Sequence, residues 1–214
     1  MVTESTKPVL RGTLHQAAAW FAFGAGMVLV ATASSARAAI AAAVYSLSLV
    51  TLFAVSAIYH RVQWKAERTR ARMRRADHAS IFVLIAGTYT PISMLGIGGD
   101  DGFRLLVLIW LGAAAGVLLS LFWVKAPKPL TAAAAVAVGW TIAPYFAQVR
   151  RLLGDEIWVI LAGGIAYTTG AIFYALKKPN PFPRVFGYHE VFHALTLIGA
   201  LLHFGVIVSI VRAP

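Results

Sequence analysis

The chain has no cysteine, and among its 214 residues only 8 are Asp or Glu. Without thiols there can be no disulfide, no thiolate metal ligand and no cysteine nucleophile. Any transition metal would have to be held by imidazole and carboxylate groups. Charge is scarce in general, at 13% of residues, while 59% are hydrophobic. With a mean hydropathy of +0.75, a soluble domain of this length could not hide its apolar surface, so the solvent must be lipid. What charge there is leans one way: 19 Lys and Arg give a net charge of +11. In a membrane protein such an excess reads as loop charge facing anionic headgroups, and no nucleic-acid partner is expected.

Seven apolar runs can be marked, at about 14–35, 38–60, 77–98, 103–124, 129–148, 156–176 and 189–211. Each is near the roughly 20 residues that cross a hydrocarbon core as a helix. They are too long and too uniformly apolar for barrel strands, and lipid offers no partners for unpaired backbone groups. The expected fold is therefore an all-α integral membrane protein, one seven-transmembrane helix bundle spanning residues 1–214. Polar and Pro-rich connectors separate the runs: Gly98-Gly99-Asp100-Asp101-Gly102, Lys125-Ala126-Pro127-Lys128-Pro129 and the stretch from Lys177 to Arg184. Pro91 and Pro144 fall inside runs and predict kinks or locally freed carbonyls. Ala31-Thr32-Ala33 resembles a signal-peptidase site, but the apolar stretch before it is longer than a signal peptide needs, so a retained first helix is expected.

Of the 19 basic residues, 14 lie in loops on the side of the N-terminus; the other side holds five, Arg37, Arg104, Arg150, Arg151 and Arg212. Positive charge collects on the cytoplasmic side, which predicts the N-terminus in and the C-terminus out, in an inner (plasma) membrane of bacterial type. The densest basic stretch, Arg61 to Arg75, is expected as a loop lying against anionic lipid headgroups.

This topology brings scattered polar residues to one level. Ser56 and His60 close the second run, Asp77 opens the third, and His189 and His193 open the last; all fall on the cytoplasmic side. An even–odd mismatch would have set them a bilayer apart. His189 and His193 are one helical turn apart on one face, and Ser56 lies one turn deeper than His60. Ionisable groups in a membrane are costly and usually face the interior to do work. Three imidazoles with an open fourth position suit a hydrolytic zinc ion. The remaining histidines fit less well. His203 lies about three turns beyond His193 and is expected as a hydrogen-bonded interior residue, His78 points away from Asp77 towards headgroups, and His15 has no evident partner.

Ser56-x-x-x-His60, Asp77 within Ala-Asp-His-Ala-Ser-Ile-Phe-Val-Leu-Ile-Ala-Gly-Thr-Tyr-Thr-Pro, and Gly187-Tyr188-His189-Glu190-Val191-Phe192-His193 together resemble the hemolysin III family. That family sits with the progestin and adiponectin receptors and, more loosely, the alkaline ceramidases, in a superfamily of membrane hydrolases. The resemblance implies zinc held by His60, His189 and His193 near the cytoplasmic face, with a water beside Asp77 and Ser56. It implies hydrolysis of a lipid amide such as ceramide, with Asp77 as general base and then acid, and Ser56 orienting the water or a neighbouring group. The lipid substrate class comes from the resemblance alone.

Three other readings compete. His189-Glu190-Val191-Phe192-His193 matches the H-E-x-x-H metalloprotease pattern, with Glu190 as base, but the extended signature fails at Thr196 and Gly199. A lipid sensor with structural zinc would use the same ligands. A cytolytic pore, which the family name suggests, should show polar stripes through several spans, and these runs are rich in Ala, Val, Leu and Gly.

Overall fold

The computed structural model describes residues 7–123 and 126–213; Val124 and Lys125, which belong to the expected fourth run and the turn after it, lie outside the described residues. Among the described residues eight α-helices follow one another: α1 (Thr13–Ala31), α2 (Ala36–Arg61), α3 (Glu67–Pro91), α4 (Gly99–Phe122), α5 (Lys128–Gly139), α6 (Phe146–Leu153), α7 (Glu156–Leu176) and α8 (Tyr188–Arg212). Among the described residues they build seven helical stretches long and apolar enough to cross a membrane, α5 and α6 together forming the fifth. The only strand-like pairing described is an isolated bridge between Phe182 and Phe186. This is a multi-pass integral membrane protein.

Helix boundaries follow local chemistry. The Ser35 side chain accepts the Ala38 N–H at 3.2 Å and caps α2. Past Pro91, α3 widens into a π-helical turn over Ile92–Ile97 and stops at Gly98, whose φ of 63° suits glycine. Pro144 sits in a single 3₁₀ turn between α5 and α6, so the fifth crossing is broken rather than kinked and continues to Leu153, beyond the expected 148. Both prolines thus disrupt their helices, as their missing N–H groups require.

One boundary corrects the sequence reading. The basic stretch is not a loop from Arg61 to Arg75; only residues 62–66 are non-helical, and α3 begins at Glu67. Hydropathy could not reveal this, because the first turns of α3 carry no apolar stripe. Ala and Arg are good helix formers, Glu67 complements the N-terminal dipole, and Arg70 reaches it at 3.5 Å. Asp77 is consequently ten residues into α3, counting from Glu67, rather than at its start.

The centre of the bundle is α3, α2 and α8. Of their apolar windows 61%, 50% and 39% is buried, against 6% for the fifth crossing. Small residues allow the close contacts. A Cβ added at Gly87 of α3 would lie 2.0 Å from the Ser48 hydroxyl of α2. Large apolar side chains such as Trp20, Phe21, Phe122 and Leu201 point outwards, as helices surrounded by hydrocarbon allow.

Candidate metal centre

α2 ends one residue after His60, and α8 begins one residue before His189. The start of α8 is fixed by Glu190, whose carboxylate accepts the Gly187 N–H at 2.9 Å and pairs with Arg11. That cap sets His189 in the first turn and His193 one turn on, both facing the end of α2. One ring nitrogen from each of His60, His189 and His193 lies within 4.8 Å of the other two. The His60 and His189 Nε2 atoms are 3.1 Å apart. Tetrahedral zinc with nitrogen ligands needs about 3.3 Å between them, worked from its bond lengths. The three rings are inclined to one another by 74°, 59° and 55°, so they converge rather than stack. The donor set therefore fits a divalent transition metal, with no thiolate needed.

Asp77 and Ser56 join this cluster. The Asp77 Oδ2 is 3.8 Å from the His60 Nε2, and the Ser56 hydroxyl interacts with the Asp77 carboxyl. Both residues are buried, Ser56 at 2% exposure. A carboxylate beside a three-imidazole corner stands where it could hold a water against an ion without itself being a ligand.

The sequence reading missed His15. It is 2% exposed, and its ring stacks on that of His193 with centroids 3.8 Å apart and planes 4° from parallel. Its other ring neighbour is Phe53, edge-on at 5.1 Å. Neither ring nitrogen makes a hydrogen bond of normal geometry among the described residues. A metal bonded to His193 lies in that ring's plane, so the parallel His15 ring, one stacking distance away, cannot aim a lone pair at it. His15 buttresses the His193 ring and is not placed to bind an ion held by that ring. The parity argument would have found it, since the first helix starts at the same end of the bundle.

The other histidines divide. His203 bonds the Ile160 carbonyl at 3.0 Å, as expected of an interior residue. His78 does not simply face headgroups; it lines a cavity that it shares with Asp77. Glu190, between the two α8 histidines, is turned away from them towards Arg11 and Gly187.

The cavity holds about 170 Å³ and runs inwards from Ser56, Asp77 and His193 past Phe82 and Ala135 to Tyr89 and His203. From Asp77 to Tyr89 is twelve helical residues, about 18 Å. That is roughly one leaflet of a 30 Å hydrocarbon core, the reach of one acyl tail. The surface that faces the cavity is mostly apolar, and polar groups at its far end are engaged: the Tyr89 hydroxyl donates to the Gly139 carbonyl at 2.6 Å, and the Trp140 indole donates to Thr168 at 3.0 Å.

Fold and site together define a seven-span membrane protein with a buried three-histidine cluster at the head of an apolar cavity. The chain belongs to the haemolysin-III-related family, whose model matches residues 3–204. It is 32% identical over 193 residues to the hemolysin-3 homolog of Bacillus subtilis (strain 168), covering 88% of this chain and 85% of that protein. With hemolysin-3 of Bacillus cereus it shares 31% over 195 residues, 89% of this chain and 85% of the relative. A more distant likeness, 25% over 168 residues, covers 77% of this chain and 68% of the monocyte to macrophage differentiation factor of Homo sapiens.

Proposed function

We propose that the protein is a zinc-dependent hydrolase of the amide bond in a membrane lipid such as ceramide. The observation that carries this reading is the meeting of two features. Three convergent imidazoles, with Asp77 and Ser56 beside them, stand at one end of an apolar cavity as long as an acyl tail. His60, His189 and His193 would hold the ion, which supplies Lewis acidity towards a carbonyl oxygen and makes a bound water acidic near neutral pH. Asp77 takes a proton from the attacking water at its carboxylate oxygen and returns it to the departing nitrogen. Ser56 orients Asp77 through their contact. The cavity walls bind the acyl chain and exclude water from it, leaving the carbonyl at the polar end. The end of the bundle carrying the site is also the end with 13 of the 18 described Lys and Arg residues, which supports placing it at the cytoplasmic face, with the N-terminus in and the C-terminus out.

The test uses purified protein in neutral detergent. Bound zinc is measured in wild type and in His60→Ala, His189→Ala and His193→Ala, and fatty-acid release from ceramides is compared between wild type and Asp77→Asn. The expected result is loss of zinc in each histidine variant. Asp77→Asn should keep its zinc and lose about 10²–10⁴-fold in turnover. Stoichiometric zinc without turnover on any acyl lipid would instead make the metal structural and the protein a lipid sensor.

A further inference from the structure

Where α3, the end of α4 and the start of α5 meet, a shallow recess is lined by Arg74, Arg75, His78, Ser120, Trp123 and Thr131. Three of these, His78, Ser120 and Thr131, also line the large cavity, so recess and cavity share a wall. His78 is four residues beyond Arg74 and three beyond Arg75, which sets all three on one face of α3. The Nε atoms of Arg74 and Arg75 are buried and make no hydrogen bond among the described residues. Neither arginine is among the ion pairs formed by the described residues, and none of the described residues lining the recess is acidic. On the same helix Arg68 and Arg72 are exposed, whereas Arg74 and Arg75 are half-buried. A buried guanidinium N–H without an acceptor is costly, so this face suits an acceptor that the described residues do not supply.

We infer that Arg74 and Arg75 form a subsite for the phosphate of a lipid headgroup, at the mouth of the cavity that takes the same lipid's tail. Two planar guanidinium forks match phosphate oxygens bidentately. The half-exposed Trp123 beside them is a residue type that favours the headgroup level. The lipid part of this inference rests on the reading of the cavity as an acyl site; the anion part does not.

The test is lipid retention. Protein purified in neutral detergent is incubated with an equimolar mixture of phosphatidic acid and phosphatidylcholine of identical chains, and bound lipid is read by native mass spectrometry, with zinc content measured in parallel. Wild type should hold the acidic lipid with a preference of at least about tenfold, the scale of a charge-assisted hydrogen bond. R74Q/R75Q should fall to parity with zinc unchanged, while R68Q/R72Q, which removes the same charge from the exposed face, should keep the preference. R74K/R75K, which keeps the charge and guards against misfolding, should lose most of it. Equal losses in the two Gln pairs, or full preference in R74K/R75K, would reduce the arginines to a diffuse charge layer and overturn the subsite. Inorganic phosphate separates the two sources of the anion. If it leaves the lipid bound at millimolar concentration, the lipid headgroup is supported; if it displaces the lipid, the site belongs to a soluble anion and the lipid part fails. Because fatty-acid release from ceramides is measured separately, loss of the headgroup preference is distinguishable from failure of the hydrolase reading.

Discussion

Glu190→Ala probes the structure's most consequential buried ion pair. The Glu190 side chain is 1% exposed and its partner Arg11 19%. The same carboxylate caps α8 by accepting the Gly187 N–H at 2.9 Å. Removing it strands a mostly buried guanidinium and frees a helix-terminal N–H. Breaking one partner of a buried pair costs about 3–5 kcal/mol, a large fraction of the roughly 5–15 kcal/mol that holds a folded domain together. Glu190→Gln retains an oxygen for the cap and should lose less, about 1.5–3 kcal/mol, the worth of a hydrogen bond to a charged group. The Arg11→Met/Glu190→Leu pair should recover much of the loss, because an apolar pair of similar volume carries no desolvation cost. Denaturant titration of the four proteins in detergent gives these differences, with zinc content read on each, since a displaced first turn of α8 would move both His189 and His193. The result that refutes this reasoning is specific. If Glu190→Gln kept full stability and full zinc yet abolished hydrolysis, the carboxylate would be the catalytic base of the H-E-x-x-H pattern.

Two further substitutions test the surroundings of the site. His15→Phe should preserve the stacked ring and keep zinc content within about twofold, whereas His15→Ala should lose about 3 kcal/mol of stability, as for other buried aromatic truncations; loss of zinc in His15→Phe, measured by elemental analysis, would make His15 a ligand and contradict the parallel-ring argument. Ala135→Phe places a large ring midway along the cavity and should cut turnover of long-chain acyl lipids at least about tenfold while sparing short-chain ones, because overpacking is avoided only when the space stays empty; equal turnover across chain lengths would show that the tail lies elsewhere.

The spans were legible because a hydrocarbon solvent forces long apolar runs, and the seven runs correspond one to one with the seven helical crossings. The polar cluster was legible for a topological reason, the counting of crossings between His60 and His189, which needs no knowledge of packing. What stayed hidden was structure that hydropathy does not encode. The first turns of α3 run from Glu67 through a basic stretch whose helicity comes from residue propensity and an N-terminal acid. The sequence could therefore set Asp77 at the right depth while mistaking it for a helix start. His15 has no evident partner in the sequence because its relevant neighbours, Phe53 and His193, come from α2 and α8.

The N-terminal segment explains why a literal motif misleads here. Val9 and Leu10 donate backbone hydrogen bonds to the Arg184 and Val185 carbonyls at 3.0 and 3.2 Å, tying the chain before α1 to the connector before α8. Arg61, next to His60, reaches the Thr13 hydroxyl at 3.1 Å. Gly12, at φ 79°, passes so close that an added Cβ would lie 2.8 Å from the His60 Cβ. Arg11 is delivered by this strap directly onto Glu190. The glutamate that a metalloprotease would spend on its water is thus consumed in fastening the start of α8 to the start of α1, with His189 on the fastened turn and His193 one turn on. In the proposed hydrolysis a base would have to come from another element, and Asp77, 3.8 Å from His60, is the carboxylate that α3 brings there.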